Sequence, residues 1–290
     1  MSNLYIGIDI GGTKTALILQ SENGQTLNQH ILPSNNEHAE VFYEKLVEAI
    51  HKLLENINPP FKIEGIGIGM PGIINYQEGY AELQNNLPLE KFPIVKRLQE
   101  QFQVEKVVIE NDVKLAALME FHGRQLSEET LLYITVSTGI AAAIIHAGRP
   151  IQGRGMAGEI GFSQWSAEPS LEADLSGPAM EIKLQHKLNT QANLANLLQM
   201  DNSIVQQEVE YFTDRFAYLL KEYILLFDPH VIVFGGGVVN NNEFLLQSIE
   251  HKLNTYLSHY YIYEKRWTKV ESALYKGDSG VKGATLLLTT

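Results

Sequence analysis

Asp9 stands near the end of an apolar run of β type, Leu4-Tyr5-Ile6-Gly7-Ile8, and is followed by Ile10-Gly11-Gly12-Thr13-Lys14 before a second apolar run, Thr15 to Leu19. This pattern of strand, glycine turn and strand predicts a hairpin. Glycines at 11 and 12 would let the backbone take positive φ and leave no Cβ between main-chain N–H groups and an anion, with Thr13 adding a hydroxyl and Lys14 a cation. Asp9 would aim a carboxylate at a magnesium ion neutralising bound phosphates, directly or through water. The same residues also make an ordinary Gly-Gly hairpin with an incidental acid, and the turn is neither G-x-G-x-x-G nor a Walker loop. A second acid, Asp112, follows the short strand Lys106 to Glu110 and opens a helix from Asn111 to Phe121. It either caps that helix or is a general base at the carboxyl end of a strand, where α/β sheets bind ligands. A carboxylate that takes a proton from an attacking alcohol is what phosphoryl transfer to a hydroxyl needs.

The elements that would carry these residues follow from periodicity. Val41, Leu46, Val47, Ile50, Leu53, Leu54 and Ile57 recur at helical spacing between Glu37 and Ile57, and Pro59-Pro60 ends the run. Ile63 to Ile74 alternates isoleucine with glycine and ends in Met70-Pro71-Gly72; glycines at period two leave one sheet face bare, so a packed helix or a ligand must come close. The stretch Asn75 to Phe92 reads as a loop whose Asn85-Asn86 pair could meet vicinal hydroxyls or simply turn the chain. Leu131 to Ile145 repeats the opening design around Ser137-Thr138-Gly139, and two such hairpins suggest an internally duplicated, two-lobed fold around a nucleotide. Asp228 to Val238 is a buried β run ending in Gly235-Gly236-Gly237, where backbone could lie flat against a nucleoside. Helices are predicted over Ile94–Gln101, Ile204–Phe227 and about Glu243–Leu257.

Composition narrows the function classes. A chain of 290 residues, 44% hydrophobic and 19% charged, can bury a sizeable core. A formal net charge of -12 argues against a nucleic-acid partner. No apolar run has the length of a membrane span, and no basic segment precedes an apolar one at the N-terminus, so a cytoplasmic protein is expected. Zero cysteines excludes disulfides and thiolate metal sites. The scattered histidines show no paired metal spacing.

Taken in order, Asp9 to Lys14, Gly69-Met70-Pro71-Gly72, Glu110-Asn111-Asp112-Val113, Ser137-Thr138-Gly139, Gly155 to Gly161, Leu171-Glu172-Ala173-Asp174-Leu175-Ser176-Gly177 and Asp228 to Gly237 resemble the motifs of ROK-family sugar kinases, over nearly the whole chain. The resemblance implies an α/β, two-lobed, actin-like (ribonuclease H-like) ATPase fold with mixed sheets flanked by helices. A smaller lobe would comprise 1–113 plus a returning C-terminal helix in 278–290, and a larger one 114–277, with the sugar in the cleft. It implies ATP and Mg2+ as cofactors, a small-molecule sugar as partner and a homodimer, with neither nucleic acid nor membrane. Asp112 then corresponds to the catalytic base acting on the sugar 6-hydroxyl. Gly72, Asn86, Asn111, Glu159 and Glu172 correspond to sugar-contacting positions. Gly11, Gly12, Thr13, Lys14, Thr138 and Gly139 correspond to phosphate hairpins, and Gly235, Gly236 and Gly237 to the adenosine motif.

The departures from the family pattern bear on the substrate. Most members read Glu-x-Gly-His followed by a Cys-rich loop that holds structural zinc, and the His also contacts the sugar. Here Phe162 replaces the His, Ser163 to Ser170 replaces the Cys-rich loop, and no zinc site is expected; packing through Phe162 and Trp165 is expected to fix the loop instead. Ala141-Ala142-Ala143 replaces a run that is usually glycine. An apolar ring at 162 suits an N-acetyl methyl, and some bacterial N-acetylmannosamine kinases resemble zinc-lacking ROK proteins of this length. N-acetylmannosamine is therefore the expected substrate, as in sialic acid catabolism, with glucose or fructose as the alternative. A silent sugar-binding protein would not require Asp9, Lys14 and Asp112 together. A ROK-type repressor would need a DNA-binding domain ahead of the first hairpin, where only a handful of residues stand.

Overall fold

In the computed structural model, which describes residues 2–34, 38–55, 57–58, 60–83, 87–164, 169–260, 268–275 and 279–289, the first apolar run forms β1 (Ser2–Ile10) and returns as β2 (Lys14–Ser21). The pair is antiparallel, with Asp9 opposite Ala16. The chain continues through β3 (Thr26–Pro33), α1 (Ala39–Leu54), β4 (Phe61–Met70), β5 (Ile73–Asn75), β6 (Tyr80–Leu83), α2 (Ile94–Phe102), β7 (Val107–Asn111) and α3 (Asp112–Gly123). Next come β8 (Thr130–Val136), β9 (Ile140–His146), β10 (Arg149–Pro150), a 3-10 turn at Ile160–Phe162, α4 (Leu171–Leu175), α5 (Gly177–Leu188), α6 (Leu194–Leu197) and α7 (Ser203–Phe227). The last elements are β11 (Val231–Gly235), α8 (Gly237–Asn240), α9 (Phe244–Leu257), β12 (Lys269–Ser272) and α10 (Ser279–Leu286). Two compact units result: Met1–Arg124 with Gln152–Ala157 and Gly277–Thr290, and Gln125–Ile151 with Gly158–Lys276.

In the first unit the sheet order is β3-β2-β1-β4-β7. The hairpin strands are antiparallel, while β4 and β7 run parallel to β1. Inward residues of β1 alternate as Leu4, Ile6, Ile8 and Ile10, and α1 presents Phe42, Leu46, Ile50 and Leu53 to the same core. Burying each such side chain contributes about 1.5–3 kcal/mol. The tenant of the bare glycine face is a helix, α10. A Cβ at Gly67 would run into the Ala284 backbone, and one at Gly65 would come 2.9 Å from the Leu288 side chain. Gly7 on β1 faces the Val281 carbonyl, and Gly283 of α10 faces Leu115 of α3. Glycine on strand and helix alike lets backbones approach where side chains would hold them apart. The stretch after Asn75 is not all loop, since β6 lies within it and pairs with β5 as a small antiparallel ribbon.

The second unit has the order β10-β9-β8-β11-β12, again with antiparallel strands on one side and parallel strands on the other. The two sheets thus share one topology, the structural form of the duplication that the two hairpins suggest. Phe212 and Phe216 of α7 lie 4.7 Å apart by ring centroids, and Phe234 of β11 joins them at 5.7 Å. Ala141, Ala142 and Ala143 lie within β9 opposite Thr135, Ile134 and Tyr133, beyond the turn. No helix among the described residues is long and apolar enough to cross a membrane.

Candidate active site

The first turn is held from outside the hairpin. Gly11 N–H donates to the Lys14 carbonyl at 3.0 Å, Ser34 N–H donates to the Thr13 carbonyl at 3.0 Å, and the Ser34 hydroxyl donates to the Gly11 carbonyl. With these carbonyls satisfied, the Gly12 and Thr13 N–H groups have no acceptor among the described residues. That leaves two donors for an anion, the cradle expected of a phosphate turn. The glycines act differently from the expectation, however. Neither Gly11 nor Gly12 takes positive φ; a Cβ at Gly11 would instead come 3.0 Å from the Lys14 carbonyl. Close approach, rather than left-handed backbone, is the requirement at Gly11.

Asp9 sits between two further glycines. Its carboxylate oxygen lies 3.3 Å from where a Gly69 Cβ would be, and its other oxygen packs on the Gly280 backbone in the first turn of α10. Burial pushes the Asp9 carboxyl up to about 7; repulsion from Asp112 adds to this, and Lys14 opposes it. An acid held this way gains from a nearby cation. Asp9 therefore fits the role of magnesium ligand, directly or through water.

The alternatives for Asp112 separate in the structure. The α3 cap is Asn111, whose amide oxygen accepts from Val113 N–H at 2.9 Å and Lys114 N–H at 3.3 Å. Its amide nitrogen donates to the Gly72 carbonyl at 3.1 Å, with Gly72 at φ +99. Asp112, one residue on, accepts from Val113 N–H at 2.9 Å. Burial raises its pKa, opposed by hydrogen bonds from the Val113 and Asp112 N–H groups. A carboxylate raised by desolvation is a better proton acceptor than one at its ordinary value.

Beneath this turn lies a buried network that the sequence reading missed. Glu110, fully buried, accepts from Asn111 N–H at 2.8 Å, the Tyr76 hydroxyl at 2.6 Å and the Gln152 amide at 2.7 Å. Lys114 lies 3.9 Å from Glu110 and donates to the Tyr76 hydroxyl at 3.0 Å. The available signal was an acid in the apolar run Val107-Val108-Ile109 with a lysine four residues later, since a buried charge requires a partner. Ser34 and Gly280 carried no comparable signal.

In the second unit, Ser137 N–H donates to the Gly139 carbonyl at 2.9 Å and Gly177 N–H donates to the Ser137 carbonyl at 2.8 Å, closing the second turn. Thr138 and Gly139 N–H groups have no acceptor among the described residues. Ile140 N–H donates to Glu172 at 2.9 Å. Glu159 immediately precedes the 3-10 turn that ends in Phe162. Phe162 is 59% exposed, and Trp165 lies outside the described residues. At the described ends of the following loop Ser163 N–H donates to the Ile160 carbonyl at 2.9 Å and Leu171 N–H donates to the Ser163 carbonyl at 2.8 Å. Among the three glycines at the end of β11 and just beyond it, a Cβ at Gly235 would strike the Tyr133 ring, and Gly236, at φ +91, packs on the Val136 backbone. Only Gly237 of the three faces open space. Asn86 lies outside the described residues. Among the described residues no group of three or more His, Cys, Asp or Glu side chains could hold a metal ion.

The chain is similar to the N-acetyl-D-glucosamine kinase of Haemophilus influenzae (strain 86-028NP), 27% identical over 312 residues that cover 99% of this chain and 100% of that protein. Among solved structures it is similar to the ROK hexokinase from Thermus thermophilus, with a TM-score of 0.84, 29% identity and coverage of 98% of this chain and 97% of that one. It shares its fold with a ROK family glucokinase from Streptomyces griseus, solved in complex with glucose and AMPPNP, at a TM-score of 0.76, 22% identity and 98% coverage of both chains. The fold is accordingly the actin-like ATPase fold that the resemblance implies. A model of the ROK family matches residues 5–290, and the chain belongs to that family.

Proposed function

We propose that the protein transfers the γ-phosphoryl of ATP to the 6-hydroxyl of an amino sugar, with N-acetylmannosamine as the preferred substrate. The observation that carries the reading is Asp112: the helix cap falls to Asn111, which leaves the neighbouring carboxylate, raised by burial, available to take a proton. In the proposed reaction the sugar hydroxyl attacks in line, Asp112 accepts its proton, and ADP departs. The Gly12, Thr13, Thr138 and Gly139 N–H groups, with Lys14, hold phosphate oxygens, and Gly237 offers the open backbone for the nucleoside. Asp9 would hold Mg2+, which supplies charge neutralisation on the phosphates when bound. Glu159, Glu172, Asn111 and Gly72 would hold the sugar. Asn111 spends its amide oxygen on the cap and one amide hydrogen on Gly72, leaving one hydrogen for a ligand.

The exposed Phe162 ring three residues after Glu159 supports an N-acetyl sugar, because it offers apolar surface to a methyl where a histidine would offer a hydrogen bond. A second reading, N-acetylglucosamine, is favoured by the similarity to the Haemophilus influenzae N-acetyl-D-glucosamine kinase. The test is a coupled ADP-release assay on metal-stripped, magnesium-restored protein with N-acetylmannosamine, N-acetylglucosamine, glucose, mannose and fructose. The proposal expects the highest kcat/KM for N-acetylmannosamine. A higher value for N-acetylglucosamine moves the reading to the epimer, a higher value for glucose or fructose overturns the amino-sugar argument, and silence on all five favours a protein that only binds sugar.

A further inference from the structure

We infer that Glu172 has a second task besides sugar contact: one of its carboxylate oxygens holds the turn of the second hairpin in shape, so nucleotide binding depends on Glu172 before any sugar is present. The inference rests on reading Ser137 to Ile140 as a phosphate turn. Glu172 is the second residue of α4, a short helix fixed by the Ser170 cap on Ala173 N–H and by Asp174, which accepts from the Tyr211 hydroxyl at 2.6 Å and pairs with Lys183. From this anchored base its Oε2 accepts from Ile140 N–H at 2.9 Å. The same oxygen fills a slot between two glycines, 2.6 Å from where a Gly139 Cβ would be and 3.1 Å from where a Gly161 Cβ would be. The other oxygen, Oε1, is 4.0 Å from the Gly139 position and has no hydrogen-bond partner among the described residues, on a residue that is exposed.

The two oxygens therefore have separate duties. Oε2 is committed to the protein, at the residue directly after the Thr138 and Gly139 donors. Oε1 remains for a sugar hydroxyl. Without Oε2 the Ile140 N–H loses its acceptor and the two glycines gain a void, so the donors ahead of it lose their fixed direction. Gly139 follows from this oxygen, which a Cβ there would displace, whereas at Gly161 the Ile140 carbonyl, 2.4 Å from where a Cβ would be, already excludes a side chain.

Charge and strut are separated by two matched comparisons of nucleotide affinity, measured with AMP-PNP and Mg2+ in the absence of sugar. Glu172→Ala and Glu172→Gln both remove the charge, but only glutamine keeps an acceptor for Ile140 N–H. Glu172→Asp keeps the charge but draws the carboxylate one methylene away. The alanine variant should bind roughly 3- to 10-fold more weakly than the glutamine variant, and the aspartate variant weaker than wild type by a similar factor, as loss of one hydrogen bond predicts. Hydrogen exchange at the Ile140 amide should be faster in the alanine and aspartate variants than in the glutamine variant. Equal affinities within each pair, with equal Ile140 exchange, would overturn the strut. Wild-type protein that fails to bind AMP-PNP would instead sink the kinase reading, and the Ile140 exchange, which needs no ligand, would still decide the strut.

Discussion

Asp9 makes a prediction whose size follows from its surroundings. A carboxyl held at about 7, against an ordinary value of 3.8, keeps its proton in the folded protein when the unfolded chain has released it. Between those two pH values the folded state binds more protons than the unfolded state, so stability falls as pH rises. Below 3.8 both states are protonated and Asp9 exacts no penalty; above 7 the penalty is complete, at roughly 4 kcal/mol. Asp9→Asn keeps the shape and removes the charge. Its gain over wild type should be near zero at pH 4, should grow through pH 5 and 6, and should level off at up to roughly 4 kcal/mol near pH 8. Hydrogen exchange of β1 and β4 amides, converted to opening free energies with the intrinsic rates at each pH, reads this locally. Curves for variant and wild type that stay parallel within about 0.5 kcal/mol across the range would refute the reasoning.

Three further outcomes are expected. Asp112→Asn should lower kcat by about 10²- to 10⁴-fold while leaving Tm unchanged or raised, and near-normal turnover would remove Asp112 from the base role. Lys114→Met leaves the Glu110 carboxylate buried without its cation and should destabilise the first unit by about 3–5 kcal/mol in exchange-derived free energies, with Glu110→Gln in the same chain recovering part of the loss. Gly67→Ala puts a methyl into the Ala284 backbone and should cost about 1–3 kcal/mol, seen as a lower Tm and a higher KM for ATP as α10 shifts away from Asp9.

The strands and long helices were legible because their periodicities are strong. Val41 to Ile57 reads as α1, Ile204 to Phe227 as α7, and the isoleucine–glycine alternation after Ile63 as a strand with a helix on its bare face. The small helices α4, α5 and α6 were not legible, because Leu171 to Leu198 mixes caps, a proline and polar residues too closely for any period to emerge. At the candidate site, motif residues stood out where backbone geometry demands a particular type, as at Gly72 and Gly236. What stayed hidden was long-range: Ser34 reaches the first turn from the end of β3, and Tyr76 and Gln152 meet Glu110 across 34 and 42 residues. Local sequence carries no trace of such pairings. At Gly11 residue type gave the right neighbourhood for another physical reason, close approach to the Lys14 carbonyl rather than positive φ.

The position of α10 has a consequence during synthesis. The glycine face of β4 and Gly7 of β1 are covered by a helix that the ribosome makes only after the whole second unit. At translation rates of about 5–20 residues per second, the interval between the end of α3 and the start of α10 lasts about 8–30 s. During that time the nascent first unit carries a sheet face, bare at Gly7, Gly65 and Gly67, that its covering helix has not yet reached. A circular permutant that places α10 ahead of β1 would close that window, and nascent-chain aggregation should fall accordingly.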